Sequence, residues 1–275
     1  MTNESQSAPV AFDPNTGQPV TSLPTTPDQP GKNLLAPIWH TVMIVAVLLL
    51  NSFFTARMTS GLTSLDISSV SEKGRILQYS FTIAVELILL GLVAFGLHLN
   101  GKKIRDLIGG RWANPEAFLI DLLIAVGFWI AAYIVLGVLG YLLGLAKGAQ
   151  IADAKRLAQM LGPQSALGLI IWIGLSCTAG FVEEVLFRGY LQRQFAVLSG
   201  NAIVGLICSA IIFGAGHGYE GTRRMVLIAV FGAMFGILAH ITKSLRPGMM
   251  AHAWHDAFSG FLLRFVAKNG LPPMR

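Results

Sequence analysis

The sequence predicts an all-α, polytopic transmembrane bundle of about seven to eight helices. Three observations predict it. Long apolar runs recur along the chain, several of them reaching the roughly 20 residues needed to cross a hydrocarbon core. Only 12% of the residues are charged and 53% are hydrophobic, whereas a soluble domain carries about 25% charged residues. The basic residues lie in short segments between apolar runs, as membrane-flanking Lys and Arg do. Inside a bilayer each segment must satisfy its own backbone hydrogen bonds, which makes the runs helices.

Residues 1–33 are polar and rich in Pro, Thr, Gly and Gln. They bury too little apolar surface to offset ordering entropy, so a disordered tail is expected. The first apolar run begins near Pro37, far from Met1. A secretory signal has its apolar region close to the start, so an uncleaved first span is expected. The runs fall at 38–56, 79–98, 117–145, 166–187, 202–216, 225–241 and 247–266. Asn114-Pro115-Glu116 is a helix start: a capping Asn, Pro in the first turn and an acid near the positive dipole end. Pro247 marks the start of the last helix in the same way. An eighth helix fits in 146–164, which holds the amphipathic stretch ADAKRLAQML. The long third run offers Gly137, Gly140 and Gly144 as break points. The expected organisation is a tail over 1–33, leading helices over 34–164, a second membrane region over 165–266 and a short tail over 267–275.

The formal net charge is +6. No basic stripe interleaves with aromatics, so nucleic acid is not an expected partner. The expected surroundings are the lipid bilayer of a cell inner or plasma membrane. The basic loop at 101–111 favours a cytoplasmic side. Cys177 and Cys208 each lie inside an apolar run and read as small buried residues, not as a disulfide framework.

A charge at membrane depth costs at least about 2.5 kcal/mol, and the second half of the chain gathers such groups in three segments. The first is Glu183-Glu184-Val185-Leu186-Phe187-Arg188. On a helix, i and i+4 share a face, so Glu184 and Arg188 pair while Glu183 points elsewhere. A carboxylate without a local cation in a partly dry site is a candidate base. The second segment ends an apolar helix with Phe213-Gly214-Ala215-Gly216-His217, and a neutral imidazole there can hold or activate a water. The third is His252-Ala253-Trp254-His255-Asp256, where His252 and Asp256 are i and i+4 on one face and His255 lies near it. Taken singly, the segments also read as a span ending at the interface, an interfacial His and a polar helix contact. Taken together, one shared polar cavity is the more economical account. Glu86, Asp121 and His240 read as cavity-lining groups, helix contacts or interfacial residues.

These three segments resemble the family of CAAX proteases and bacteriocin-processing enzymes, which includes the type II CAAX prenyl endopeptidases. Its pattern is EExxxR, FxxxH and HxxxN or HxxxD on successive membrane helices. The resemblance covers roughly 165–262 and implies an intramembrane glutamate-type protease. By it, Glu183 and His217 orient and deprotonate a water, which attacks the scissile carbonyl. His252 and the residue at 256 stabilise the oxyanion, and Glu184 and Arg188 support the site. Many members have Asn where this chain has Asp256. An ionised Asp cannot donate to an oxyanion, so Asp256 is either protonated or orients His252, which then donates. The second is favoured, because an i, i+4 carboxylate fixes the imidazole and keeps it charged.

Glu183, Glu184, His217, His252 and His255 include zinc-ligand types, but the HExxH signature is absent. The resemblance points to metal-free chemistry without a cofactor. The expected substrate is a membrane-associated peptide: a prenylated CAAX tail, a leader peptide or another lipidated protein. Two other functions compete: a non-enzymatic immunity or scaffold protein, and a proton-coupled transporter. The transporter is disfavoured because the polar cluster is confined to one half of the chain, where transporters usually show paired repeats.

Overall fold

A polar side chain opens four of the long helices by accepting an orphan backbone N–H of the first turn. Ser71 caps α2 (Glu72–Leu99) through the Gly74 amide, and Asn114 caps α4 (Pro115–Leu142) through the Ala117 amide. Ser165 caps α5 (Ala166–Glu183) through Gly168, and Asn201 caps α7 (Ala202–Gly216) through Ile203 and Val204. The computed structural model describes residues 34–62, 71–145 and 158–269. The expected tail over 1–33, most of the expected eighth helix and residues 270–275 lie outside them. The described residues also form α1 (Ile38–Leu62), a short α3 (Arg105–Ile108), α8 (Thr222–Thr242) and α9 (Arg246–Asn269).

The helices fall on the seven apolar runs. Among the described residues, five segments can cross a membrane by length and composition: Ile38–Arg57, Glu72–Leu99, Pro115–Leu142, Ala166–Ser199 and Thr222–Thr242. The chain is a multi-span integral membrane protein, and the expected all-α bundle fits it. Two of the seven runs lie outside these five segments. α7 has only 15 residues, and α9 carries the polar His252–Asp256 segment on its inner turns. α4 does not break at Gly137 or Gly140 and ends before Gly144, which takes φ +72.

The largest departure from the expected boundaries is in the fourth run. An ordinary span ends where charges begin, near 187. Here the helix continues as a π-helix over Glu184–Leu191 and then as α6 (Gln192–Ser199) until Gly200 stops it at φ +68. All eight π-helical residues are buried. The π-helix has wider turns than the α-helix and occurs mostly as short insertions at functional sites.

α5 packs against α2 and α9, while α7 packs against α6 and α8. The main apolar core joins Ile44, Val93 and Leu97 to Phe187, Tyr190, Leu191 and Phe213. A second cluster joins Ala125 and Ala132 of α4 to Phe231 and Phe235 of α8 and Ala251 of α9. Outward faces are apolar, with Leu123, Leu142, Phe81 and Ile241 exposed, as lipid-facing surfaces are.

Buried polar side chains tie the helices together. The His40 ring lies between the Leu92 carbonyl and the Tyr190 hydroxyl, 2.9 Å from each. A carbonyl only accepts, so Nε2 carries the proton and Nδ1 accepts from Tyr190. Tyr190 then accepts from Thr41, and Thr41 from Gln194. This chain of bonds fixes α1 against the π-helix and α6. At another end, Arg246 pairs with Asp121 at 2.8 Å, and Trp112 donates to the same carboxylate oxygen.

α5 and α9 approach closely at Gly180. A Cβ there would stand 2.7 Å from the Ala253 amide nitrogen and 2.8 Å from the Met249 carbonyl oxygen. Both obstacles are backbone, so Gly180→Ala must push the helices apart. The expected cost is about 1–3 kcal/mol, read as a lowered melting temperature in detergent. Because Gly180 lies one turn before Glu183, activity is expected to fall with it.

Candidate active site

The site is built where α5 becomes the π-helix. Glu183 is the last α-helical residue and Glu184 the first π-helical one. The Glu184 side chain is fully buried, and its Oε1 accepts from Arg188 Nη1 at 2.9 Å, the i, i+4 pair the sequence predicts. Arg188 is also buried and donates through Nη2 to the Gly232 carbonyl on α8 at 3.1 Å. Its guanidinium lies 4.4 Å from the Phe213 ring centroid and 5.0 Å from that of Phe235, so aromatic faces supply part of the stabilisation water would give.

His252 reaches this pair from α9 and is 3% exposed. Its Nδ1 donates to Glu184 Oε1 at 3.0 Å. Its Nε2 lies 3.6 Å from Glu183 Oε2 and 3.6 Å from Asp256 Oδ2. The ring stacks on Phe235 with centroids 5.0 Å apart. One nitrogen is committed to Glu184, and the other faces two carboxylates.

His217 caps the C-terminus of α7. Its Nδ1 is 2.9 Å from the Phe213 carbonyl, an acceptor that requires the proton on Nδ1 and leaves Nε2 able to accept. The Phe213 ring lies between the two imidazoles, with centroids 5.0 Å from His217 and 6.2 Å from His252. His217 is within electrostatic reach of Asp256. Glu183, His217, His252, Asp256, Glu184 and Arg188 therefore gather in one region from α5, the π-helix, α7 and α9.

His255 does not join them. Its ring packs between Tyr133 and Phe231, 4.9 Å and 4.6 Å away, because i+3 turns it toward α4 and α8. Asp121 serves the Arg246 contact and His240 is exposed.

Three further groups adjoin the site. Glu86 of α2 is buried, its Oε2 has no hydrogen-bond partner, and it lies within electrostatic reach of Glu183, Asp256 and His252. Its signal in the sequence is a lone acid inside an apolar span. Tyr219 and Glu220 form the 3-10 turn Gly218–Glu220 that follows His217. Tyr219 is within electrostatic reach of Glu183 and Asp256. Burial pushes the Glu220 carboxyl up, against His217 and Arg224, which pull it down. Neither residue had a distinguishing pattern in the sequence. Among the described residues, no three His, Cys, Asp or Glu side chains are grouped to hold a metal ion.

Residues 165–258 match the family model described as Type II CAAX prenyl endopeptidase Rce1-like. This stretch is similar to a CAAX-protease domain. It begins at the Ser165 cap of α5 and includes the EExxxR, FxxxH and HxxxD segments. No curated protein and no solved structure matches the chain. The matched stretch thus supplies all six gathered side chains, and α1–α4 precede it. The family this stretch resembles is one of membrane proteases.

Proposed function

We propose that the CAAX-protease-like stretch is a glutamate-type endopeptidase that cleaves a membrane-associated peptide without a catalytic metal. The observation that carries this reading is the setting of His252. Its Nδ1 is anchored to buried Glu184, while Nε2 lies 3.6 Å from both Glu183 and Asp256. An acid and an oriented imidazole at one point are what peptide hydrolysis needs.

In the proposed reaction, Glu183 takes a proton from a water that His217 helps orient through Nε2. The resulting hydroxide attacks the scissile carbonyl carbon. His252 Nε2, carrying a proton and oriented by Asp256, donates to the oxyanion. Glu183 then returns its proton to the departing amine nitrogen as the C–N bond breaks. Glu184 and Arg188 touch no substrate; they hold His252. The carboxylates turn to imidazole nitrogens, which supports the metal-free reading.

The substrate is a peptide held at the membrane, a prenylated CAAX tail or a leader peptide. Purified protein in detergent is expected to cleave a fluorogenic farnesylated CAAX peptide or a quenched leader peptide, with the rate unchanged by EDTA. Absence of cleavage of either probe by folded protein counts against a protease of this kind. Loss of the rate in EDTA, restored by zinc, would replace the metal-free mechanism.

A further inference from the structure

The groups around the reaction space are rich in acceptors and poor in donors. Glu183, Asp256, Glu220 and Glu86 bring carboxyl oxygens to it or to its edge. The guanidinium of Arg188 is turned to Glu184 and to the Gly232 carbonyl. His252 Nδ1 is committed to Glu184, and His217 Nδ1 faces the Phe213 carbonyl. An oxyanion forming beside carboxylates needs more than the one remaining imidazole N–H, since donors aimed at developing charge usually contribute most to catalysis of this kind.

The 3-10 turn Gly218–Glu220 sets Tyr219 beside His217. It follows His217 directly, and the Tyr219 ring centroid is 6.1 Å from that of His217. The Tyr219 hydroxyl is a hydrogen-bonding partner of the Glu220 carboxyl and is within electrostatic reach of Glu183 and Asp256. α1 packs against the turn. Ser52 of α1 donates to the Ala215 carbonyl at 2.6 Å, just before the turn, and a Cβ on Gly218 would lie 3.2 Å from the Ser52 hydroxyl.

The geometry points to Tyr219 as a catalytic hydrogen-bond donor to the scissile carbonyl oxygen, acting with His252 in the proteolysis proposed above, on which this inference rests. The hydroxyl swings from Glu220 to the substrate oxygen and no proton is transferred. Burial, together with the Glu220, Glu183 and Asp256 carboxylates, pushes the Tyr219 hydroxyl well above the ordinary tyrosine range, so it keeps its proton while the peptide reacts. A neutral donor tolerates these carboxylate neighbours without being neutralised by them.

The test compares wild type and Tyr219→Phe, which keeps the ring. The same fluorogenic peptide gives kcat and KM, and a phosphonamidate analogue of that peptide reports binding of a tetrahedral oxyanion. The expected result is a fall in kcat of about 10²-fold with KM little changed. Phosphonamidate affinity is expected to weaken by a similar factor at an unchanged melting temperature. Wild-type kcat in Tyr219→Phe overturns the inference. So does a lost kcat with full phosphonamidate affinity, which marks a merely structural role. A wild type that is folded and cleaves no peptide overturns the protease reading itself, and this inference with it.

Discussion

Glu183→Ala is expected to remove peptide cleavage, lowering kcat by about 10²–10⁴-fold, the range a positioned general base contributes. Glu183→Gln is expected to do nearly the same, because an amide keeps the shape and loses the basicity. Two features make the prediction specific. Glu183 makes no pair with Arg188; that guanidinium is spent on Glu184. Its own contact is with His252 Nε2 at 3.6 Å, with its side chain 20% exposed. A carboxylate so placed is accessible to water and adds little to the packing, so the melting temperature in detergent should hold while the rate collapses. KM should move little, because the group acts in the transition state. Full activity in either variant would take Glu183 out of the mechanism, whatever the rest of the site does.

The largest effect on stability is expected at Arg188. Arg188→Ala leaves Glu184 buried with one cation fewer, and breaking a buried pair from one side typically costs about 3–5 kcal/mol. The loss is compounded by the unpaired Gly232 carbonyl and by the removal of a guanidinium from between Phe213 and Phe235. The expected readout is a large drop in melting temperature together with lost activity, since Glu184 Oε1 is also the acceptor that holds His252 Nδ1. A double variant, Glu184→Gln with Arg188→Met, removes both charges and keeps their bulk. It should recover much of the stability without recovering the rate. Equal melting temperatures for Arg188→Ala and wild type would show that the pair contributes no net stability.

The motifs singled out the residues that gather around His252 and one of their contacts. The Glu184–Arg188 pair follows from i, i+4 spacing alone and survives the change to π-helical winding. His252 and Asp256 share a face for the same reason. What spacing within a segment cannot give is the partner across helices. Glu183 lacked a partner in sequence and finds His252 only because α5 and α9 meet closely at Gly180. Glu86 could be read as lining a cavity or as contacting a helix, and Tyr219 carried no signal, because the contacts that bring them near the site join residues far apart in the chain. His255 shows the converse: three residues from His252, yet turned into the aromatic cluster of Tyr133 and Phe231.

Composition and periodicity by themselves determined that this chain is a bundle of membrane helices. They could do so because a bilayer imposes one length and one polarity on every segment that crosses it. The motif order then pointed to the helices proposed to carry chemistry. Only the tertiary structure decided where the fourth run ends. Its Glu184–Arg188 pair does not meet water at an interface but is buried among Gly232, Phe213, Phe235 and His252, and the helix continues to Ser199. A buried charge is stable only if neighbouring helices supply its partners, and those partners are a property of packing that no single stretch of sequence contains.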